Sequence, residues 1–207
     1  MEKRATSQVK QIAMQPAVGS AGSPYPKHYV TTFRSNDGKE FKVRPIVPED
    51  EPLLVEFHRQ LSQETVYRRY FSALKLESRV AHERLLKRCL IDYRHEMALV
   101  AEWLDGKGIR HIVAVARLIR TESGKSAEGA FVVADAYQHR GLGSYLLQRI
   151  TEIAKLEGVR RLEAQVLADN HDMIDLFRRA GFHFGSPSGG TLTAWLDLQS
   201  AKGLPQP

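Results

Sequence analysis

Cysteine is nearly absent from this chain: Cys89 is the single one among 207 residues. That excludes an intrachain disulfide and a cysteine-based metal cluster, and it suits a reducing compartment. Cys89 lies in the apolar helical stretch "LLKRCLI" and reads as a core residue. No apolar run approaches the roughly 18 residues of a membrane span, and the N-terminus has no apolar signal core. The expectation is a cytoplasmic protein with no membrane partner. Runs of Lys/Arg interleaved with aromatic residues are also missing, so nucleic acid is not an expected partner. His58, His82, His95 and His111 show no metal-ligand spacing, and no metal is expected. There is no internal repeat.

What is present is an ordinary globular composition, 43% hydrophobic and 26% charged, in a length that suggests one domain with an extension. The net charge of +6 is uneven. Between His58 and His95 nine basic residues (Arg59, Arg68, Arg69, Lys75, Arg79, Arg84, Lys87, Arg88, Arg94) face four acids (Glu64, Glu77, Glu83, Asp92). Such an excess suits an anionic cofactor or an acidic partner, and it equally describes solvated helix faces.

Residues 1–24 are small, Gly/Pro/Ser-rich and without period, so a flexible extension is expected there, followed by a domain over 25–200 and a flexible tail over 201–207. "HYVTTFRSNDGKEFKVRPI" reads as a hairpin turning at Asn36, Asp37 and Gly38. "VPEDEPLLVEFHRQL" reads as a helix opened by Pro48 and three acids. A second helix follows Ser62, its N-cap, through Phe71, and a third spans Ser78 to Leu90. Two β-branched stretches, 95–104 and 110–120, flank the turn "DGKG", and "AEGAFVVAD" continues as a strand. Leu142, Leu146, Ile150 and Ile153 recur at helical spacing in a helix that ends at Gly158. A strand over 161–168 then precedes a helix with Met173, Phe177 and Ala180 inward, and "TLTAWLDL" closes as a strand. A mixed α/β sheet covered by helices fits this order.

The join between "EGAFVV" and "SYLLQRITEIAKLEG" carries Gln138, His139, Arg140, Gly141, Leu142 and Gly143. A helix N-terminus presents unpaired N–H groups and partial positive charge, and glycines let phosphate oxygens reach the backbone. Arg140 adds a charge-assisted donor. The loop therefore reads as a pyrophosphate cradle, although a Gly-x-Gly turn alone is equally well a tight connection that binds nothing. Leu146 stands where a dinucleotide fingerprint needs its last glycine, and no Gly-Lys-Ser/Thr is present for a P-loop.

The pattern Gln-x-x-Gly-x-Gly, with Asp135 three residues upstream on an apolar strand, resembles motif A of the GNAT superfamily of acyltransferases. "VLADN", the following helix and "LFRRAGF" resemble its second half, and the likeness covers about residues 128–184. The resemblance implies an α/β fold with a central, mixed, mostly antiparallel sheet, splayed at the cofactor site and flanked by helices. It implies acetyl-CoA as cosubstrate, held by Gln138, His139, Arg140, Gly141, Leu142, Gly143 and Ser144, by the strand backbone at Phe131 and Val133, and by Asn170. Asn170 also reads as a helix N-cap, and the two roles are compatible. Residues 24–72 look like the acetyltransferase region of bacterial Pat-type protein-lysine acetyltransferases. This implies a protein substrate, with AMP-forming acyl-CoA synthetases as first candidates.

Acetyl transfer to an amine needs the amine deprotonated, against a free lysine pKa near roughly 10.4, and the thioester oxyanion stabilised. Glu128, ten residues before Gln138 on the cofactor-bearing strand, is the expected general base, and Pat-type domains resemble the chain in placing a Glu there. A solvated strand-start carboxylate is the plain alternative. Glu102 is the second candidate, although alternation on its strand turns it to solvent, and Glu163 is the third. Phe177 occupies the place where many GNAT enzymes have a Tyr acid, so the thiolate leaves unprotonated or takes its proton from water. Two other functions remain open on these residues, N-acetylation of a small-molecule amine and non-catalytic sensing of acetyl-CoA.

Overall fold

A computed structural model describes residues 24–198. The extension and tail expected from the sequence lie almost wholly outside the described residues. Eight strands form one sheet in the order β1-β2-β3-β4-β5-β6-β8-β7. They are β1 (Thr31–Arg34), β2 (Glu40–Pro45), β3 (Glu96–Leu104), β4 (Arg110–Arg120), β5 (Ser126–Val133), β6 (Arg161–Leu167), β7 (His183–Phe184) and β8 (Thr191–Asp197). Every neighbouring pair is antiparallel except β5 with β6. Helices α1 (Glu51–Arg59), α2 (Gln63–Tyr70), α3 (Leu76–Val80), α4 (His82–Cys89), α5 (Leu142–Leu156) and α6 (His171–Arg179) cover it. The expected mixed, mostly antiparallel sheet flanked by helices is the observed one.

The one parallel pairing is short. β5 meets β6 only from Ser126 to Glu128, opposite Arg161 to Glu163. Beyond it, β5 stays on β4 as far as Val133, and β6 stays on β8 to Leu167. The sheet therefore opens like a wedge whose apex is Glu128. Right-handed βαβ crossover through α5 brings the two strands side by side there. Leu142, Leu146, Ile150 and Ile153 are all buried, as their spacing requires, and α5 packs on β4 and β5.

Two helices depart from the sequence reading. The stretch Ser78–Leu90 is two helices rather than one, broken at Ala81, whose backbone is extended (φ −56°, ψ 127°). The break lets buried Arg79 donate to the His58 carbonyl at 2.7 Å while Leu85 and Cys89 enter the core. In α6, Ile174 and Phe177 form the buried stripe, and Ala180 is exposed because it is the residue that ends the helix. Cys89 is buried as expected, and burial pushes its thiol up to about 12, which disfavours the thiolate.

Glu102 is the larger correction. It does not face solvent but is 6% exposed. β3 is covered on both faces, so alternation along it separates two buried sides rather than core from water. A bulge between Ala101 and Glu102 shifts the register there. The Glu102 carboxylate accepts from Arg44 at 2.7 Å, and Arg44 makes a two-pronged bond to buried Asp50, also at 2.7 Å. Removing one member of a buried ion-pair network leaves its partner under-compensated, at a cost near 3 kcal/mol. Glu102→Ala is thus expected to lower the unfolding free energy by about 3 kcal/mol in urea titration. A loss below about 0.5 kcal/mol, the size of an ordinary surface change, would show the network to be dispensable.

Candidate active site

The wedge between β5 and β6 opens into a cleft of about 230 Å³. Its floor is the β5 backbone. Ala134 N–H bonds Val113 of β4, so by strand alternation Val133 and Phe131 turn their peptide groups the other way, into the opening. The Val133 carbonyl is taken by the Gln138 side chain at 3.0 Å. The N–H groups of Phe131 and Val133 have no β6 partner, because pairing stopped at Glu128.

One end of the cleft is the α5 N-terminus. His139 and Gly141 both take left-handed backbone conformations (φ 57° and 86°), which fold the loop tightly onto the helix start. A Cβ at Gly141 would meet Phe33 at 3.4 Å, and positive φ already disfavours any side chain there. The first intrahelical bond runs from Tyr145 N–H to the Gly141 carbonyl, leaving the N–H groups of Leu142, Gly143 and Ser144 to the cleft. Gly143 presents open space, since a Cβ there would find only Leu176 at 3.8 Å.

Of the residues singled out from the sequence, Phe131, Val133, Gln138, His139, Gly141, Gly143, Ser144 and Asn170 all line this cleft. Leu142 is fully buried in the core and offers only its main chain. Arg140 is ion-paired with Asp37 on the β1–β2 turn, lies over the Tyr137 ring, and does not line the cleft. Asn170 caps α6 by accepting from Met173 N–H at 3.3 Å and lines the cleft as well.

The apex holds Glu128, exposed, in register with Glu163 across the last paired position. A smaller cavity of about 40 Å³ there is lined by Glu128, Gly129, Ala130 and Phe131, and it shares Arg68, Arg69 and Asn170 with the main cleft. Glu128 and the helix N-terminus are thus the two ends of one channel. Five residues of strand, about 16 Å, separate Glu128 from Val133.

Sequence reading missed the wall supplied by α2. Ser62 caps that helix by accepting from Thr65 N–H, as expected, but its hydroxyl also donates to Asp135 at 2.6 Å. Thr65 donates to the same carboxylate at 2.8 Å and accepts from Gln138 at 3.2 Å. Burial opposes ionisation of Asp135, yet the Ser62 and Thr65 donors hold its carboxyl below the usual range. This chain of bonds clamps α2 over the loop and places Arg68 and Arg69 in the cleft wall. The only advance sign was the basic excess between His58 and His95. Phe177, whose phenyl ring has no ionisable proton to give, is buried against Phe131 and Phe182.

Comparisons with known proteins show the family and the fold. The acetyltransferase (GNAT) family model matches residues 64–182. Acetyltransferase Pat of Mycolicibacterium smegmatis is 31% identical over 81% of this chain and 49% of its own length, so the chain spans about half of that relative. Acetyltransferase PA5475 of Pseudomonas aeruginosa is 29% identical over 75% of this chain and 80% of its own. Among solved structures, the GNAT domain of S. lividans PAT superposes with a TM-score of 0.75 at 32% identity, covering 84% of this chain and 99% of that one. Among the described residues no helix is long and apolar enough to cross a membrane.

Proposed function

The chain belongs to the acetyltransferase (GNAT) family, and from that membership we propose that it transfers the acetyl group of acetyl-CoA to the side-chain amine of a protein lysine. One observation carries this reading: the β5–β6 opening runs from unpaired helix N–H groups to a carboxylate, past a strand edge with free donors. Acetyl-CoA, when bound, supplies a thioester and an anionic pyrophosphate. The N–H groups of Leu142, Gly143 and Ser144 meet that anion, with the helix dipole behind them. Gln138 fixes the loop to Val133, and Asn170 holds the far wall. The Phe131 and Val133 N–H groups bond the pantetheine arm and the carbonyl on which charge develops. Glu128 takes the proton of the attacking amine, directly or through a water. No tyrosine protonates the thiolate, whose lower pKa lets it leave as the anion.

The acceptor assignment draws on the likeness to the Pat proteins of M. smegmatis and S. lividans. AMP-forming acyl-CoA synthetases are the first acceptors to try. The basic surface of α2–α4 suits a folded protein with an acidic face, and such attraction is screened by salt. Raising ionic strength from about 0.05 to 0.5 M should then raise KM several-fold for a protein acceptor with little change in kcat. Labelled acetyl-CoA incubated with a panel of purified proteins tests the reading. Acetylation of free amines with no labelled protein would move the acceptor to the small-molecule class.

A further inference from the structure

Between β4 and β5 of the sheet and helices α1, α2 and α4 lies a second cavity of about 120 Å³. His58, Arg69, Arg84, Arg88 and Arg117 line it, and no acid does. Arg117 is neutralised by Glu96. Arg69, Arg84 and Arg88 have no ion-pair partner among the described residues. Arg69 and Arg84 flank the Tyr70 ring, with guanidinium carbons 5.1 and 5.6 Å from its centroid. His58 is 8% exposed, and its buried Nδ1 has no hydrogen-bond partner. Burial and the surrounding guanidinium groups of Arg79, Arg84 and Arg69 hold the imidazole down at about 4, so it is neutral at physiological pH. A partly enclosed space with three cations that lack an ion-pair partner and an unsatisfied ring nitrogen in its wall suits an anion.

Its position gives it meaning. Arg69 lines this cavity, the main cleft and the small cavity holding Glu128. Ala130 is shared with the Glu128 cavity and Val132 with the main cleft. The anion would therefore sit beside the reacting end of the channel. The remaining wall is apolar, including Phe57, Leu85 and Val115, which favours a charged head on a short hydrocarbon stem over a bare oxyanion. Guanidinium forks match a planar carboxylate with two parallel bonds.

We propose that this cavity binds a small carboxylate next to the acyl-transfer site. The carboxylate has two possible sources of one chemistry, the far end of a dicarboxylic acyl group on the donor or a carboxylate carried by the acceptor. The proposal rests on the acetyl-CoA reading only for where the acyl group lies.

Calorimetry with succinate, acetate and inorganic phosphate, on the full chain without acyl-CoA, tests it directly. Succinate or acetate should bind and shift the His58 ring resonances. Arg84, which does not line the acetyl-CoA cleft, is the residue to change. Arg84→Gln should weaken binding by about 10- to 100-fold, the value of one charge-assisted bond, and Arg84→Lys should weaken it less. Succinyl-CoA bound tighter than acetyl-CoA, with the preference lost in Arg84→Gln, would place the carboxylate on the donor. Equal affinity for the two, with amines bearing a carboxylate preferred as acceptors, would place it on the acceptor. Binding of phosphate alone, or no binding with unmoved His58 resonances, would overturn the proposal. Succinate bound in this cavity by a protein that fails to bind acetyl-CoA would uphold it and reject the cofactor reading instead.

Discussion

Glu128→Gln is expected to lower kcat by about 10²- to 10⁴-fold while acetyl-CoA affinity stays nearly unchanged. The substitution keeps the shape of the side chain and removes its ability to accept a proton. Glu128 is exposed, so the fold should tolerate the change. The pyrophosphate cradle begins ten residues later, at the other end of the channel, so binding should survive. The acidic limb of the pH–rate profile should vanish with the base. Glu163→Gln is the matched control, because Glu163 is the register partner of Glu128 on the neighbouring strand. Glu102 is no longer a candidate, since its carboxylate is committed to Arg44. If Glu128→Gln keeps most of its turnover, or if Glu163→Gln does the damage, the base has been misassigned.

Gly143→Glu should weaken acetyl-CoA binding by at least about 100-fold, roughly 2.7 kcal/mol. The new carboxylate would stand among the free N–H groups of the α5 N-terminus and compete with pyrophosphate for them. Gly143 is a better test than Gly141. At Gly141 the backbone is left-handed and Phe33 is 3.4 Å from a Cβ, so a substitution there would disturb folding as well. At Gly143 the nearest contact is an ordinary 3.8 Å, and an acid in the first turn of a helix favours the helix. Loss of binding in a variant of unchanged thermal stability would therefore report on the anion. Gly143→Ala, with no charge, should bind almost normally. Calorimetry that finds Gly143→Glu binding acetyl-CoA like the unaltered protein would remove the cradle from the mechanism.

Elements whose pattern is local were legible in advance. The buried stripe of α5 follows from a period of 3.6 in an uninterrupted helix, and the hairpin at Asn36–Gly38 follows from its turn residues. The Ser62 cap is likewise a bond between neighbours three residues apart. Gln138, Gly141, Gly143 and Asn170 sit at strand–helix and helix-start junctions, where residue type and backbone geometry are tied together. The two glycines stand out by residue type at a helix start, and Gln138 and Asn170 by the resemblance to the GNAT family.

Other features depend on segments far apart in the chain. Sequence alternation placed Glu102 in water, but β3 is buried on both faces, and Arg44, 58 residues away, is the partner that makes its burial possible. The Ser78–Leu90 stretch reads as one helix until Arg79 is seen bonded to His58. Arg140 looks like a phosphate donor until the β1–β2 turn brings Asp37 to it. The nine basic residues between His58 and His95 were a count, which describes a solvated face as well as a site. Only the packing of α1 on β4, α2 on β5 and α4 on α1 gathers Arg69, Arg84 and Arg88 around one cavity with no acid in its wall. Thus the sequence by itself determined the strands and helices of the motif around α5, the glycine loop at that helix start and the place of Glu128 near the start of its strand, because each is written within a few consecutive residues. The tertiary structure decided which charges are paired and which are left free, because Coulomb interaction depends on distance and burial, and neither is a property of position along the chain.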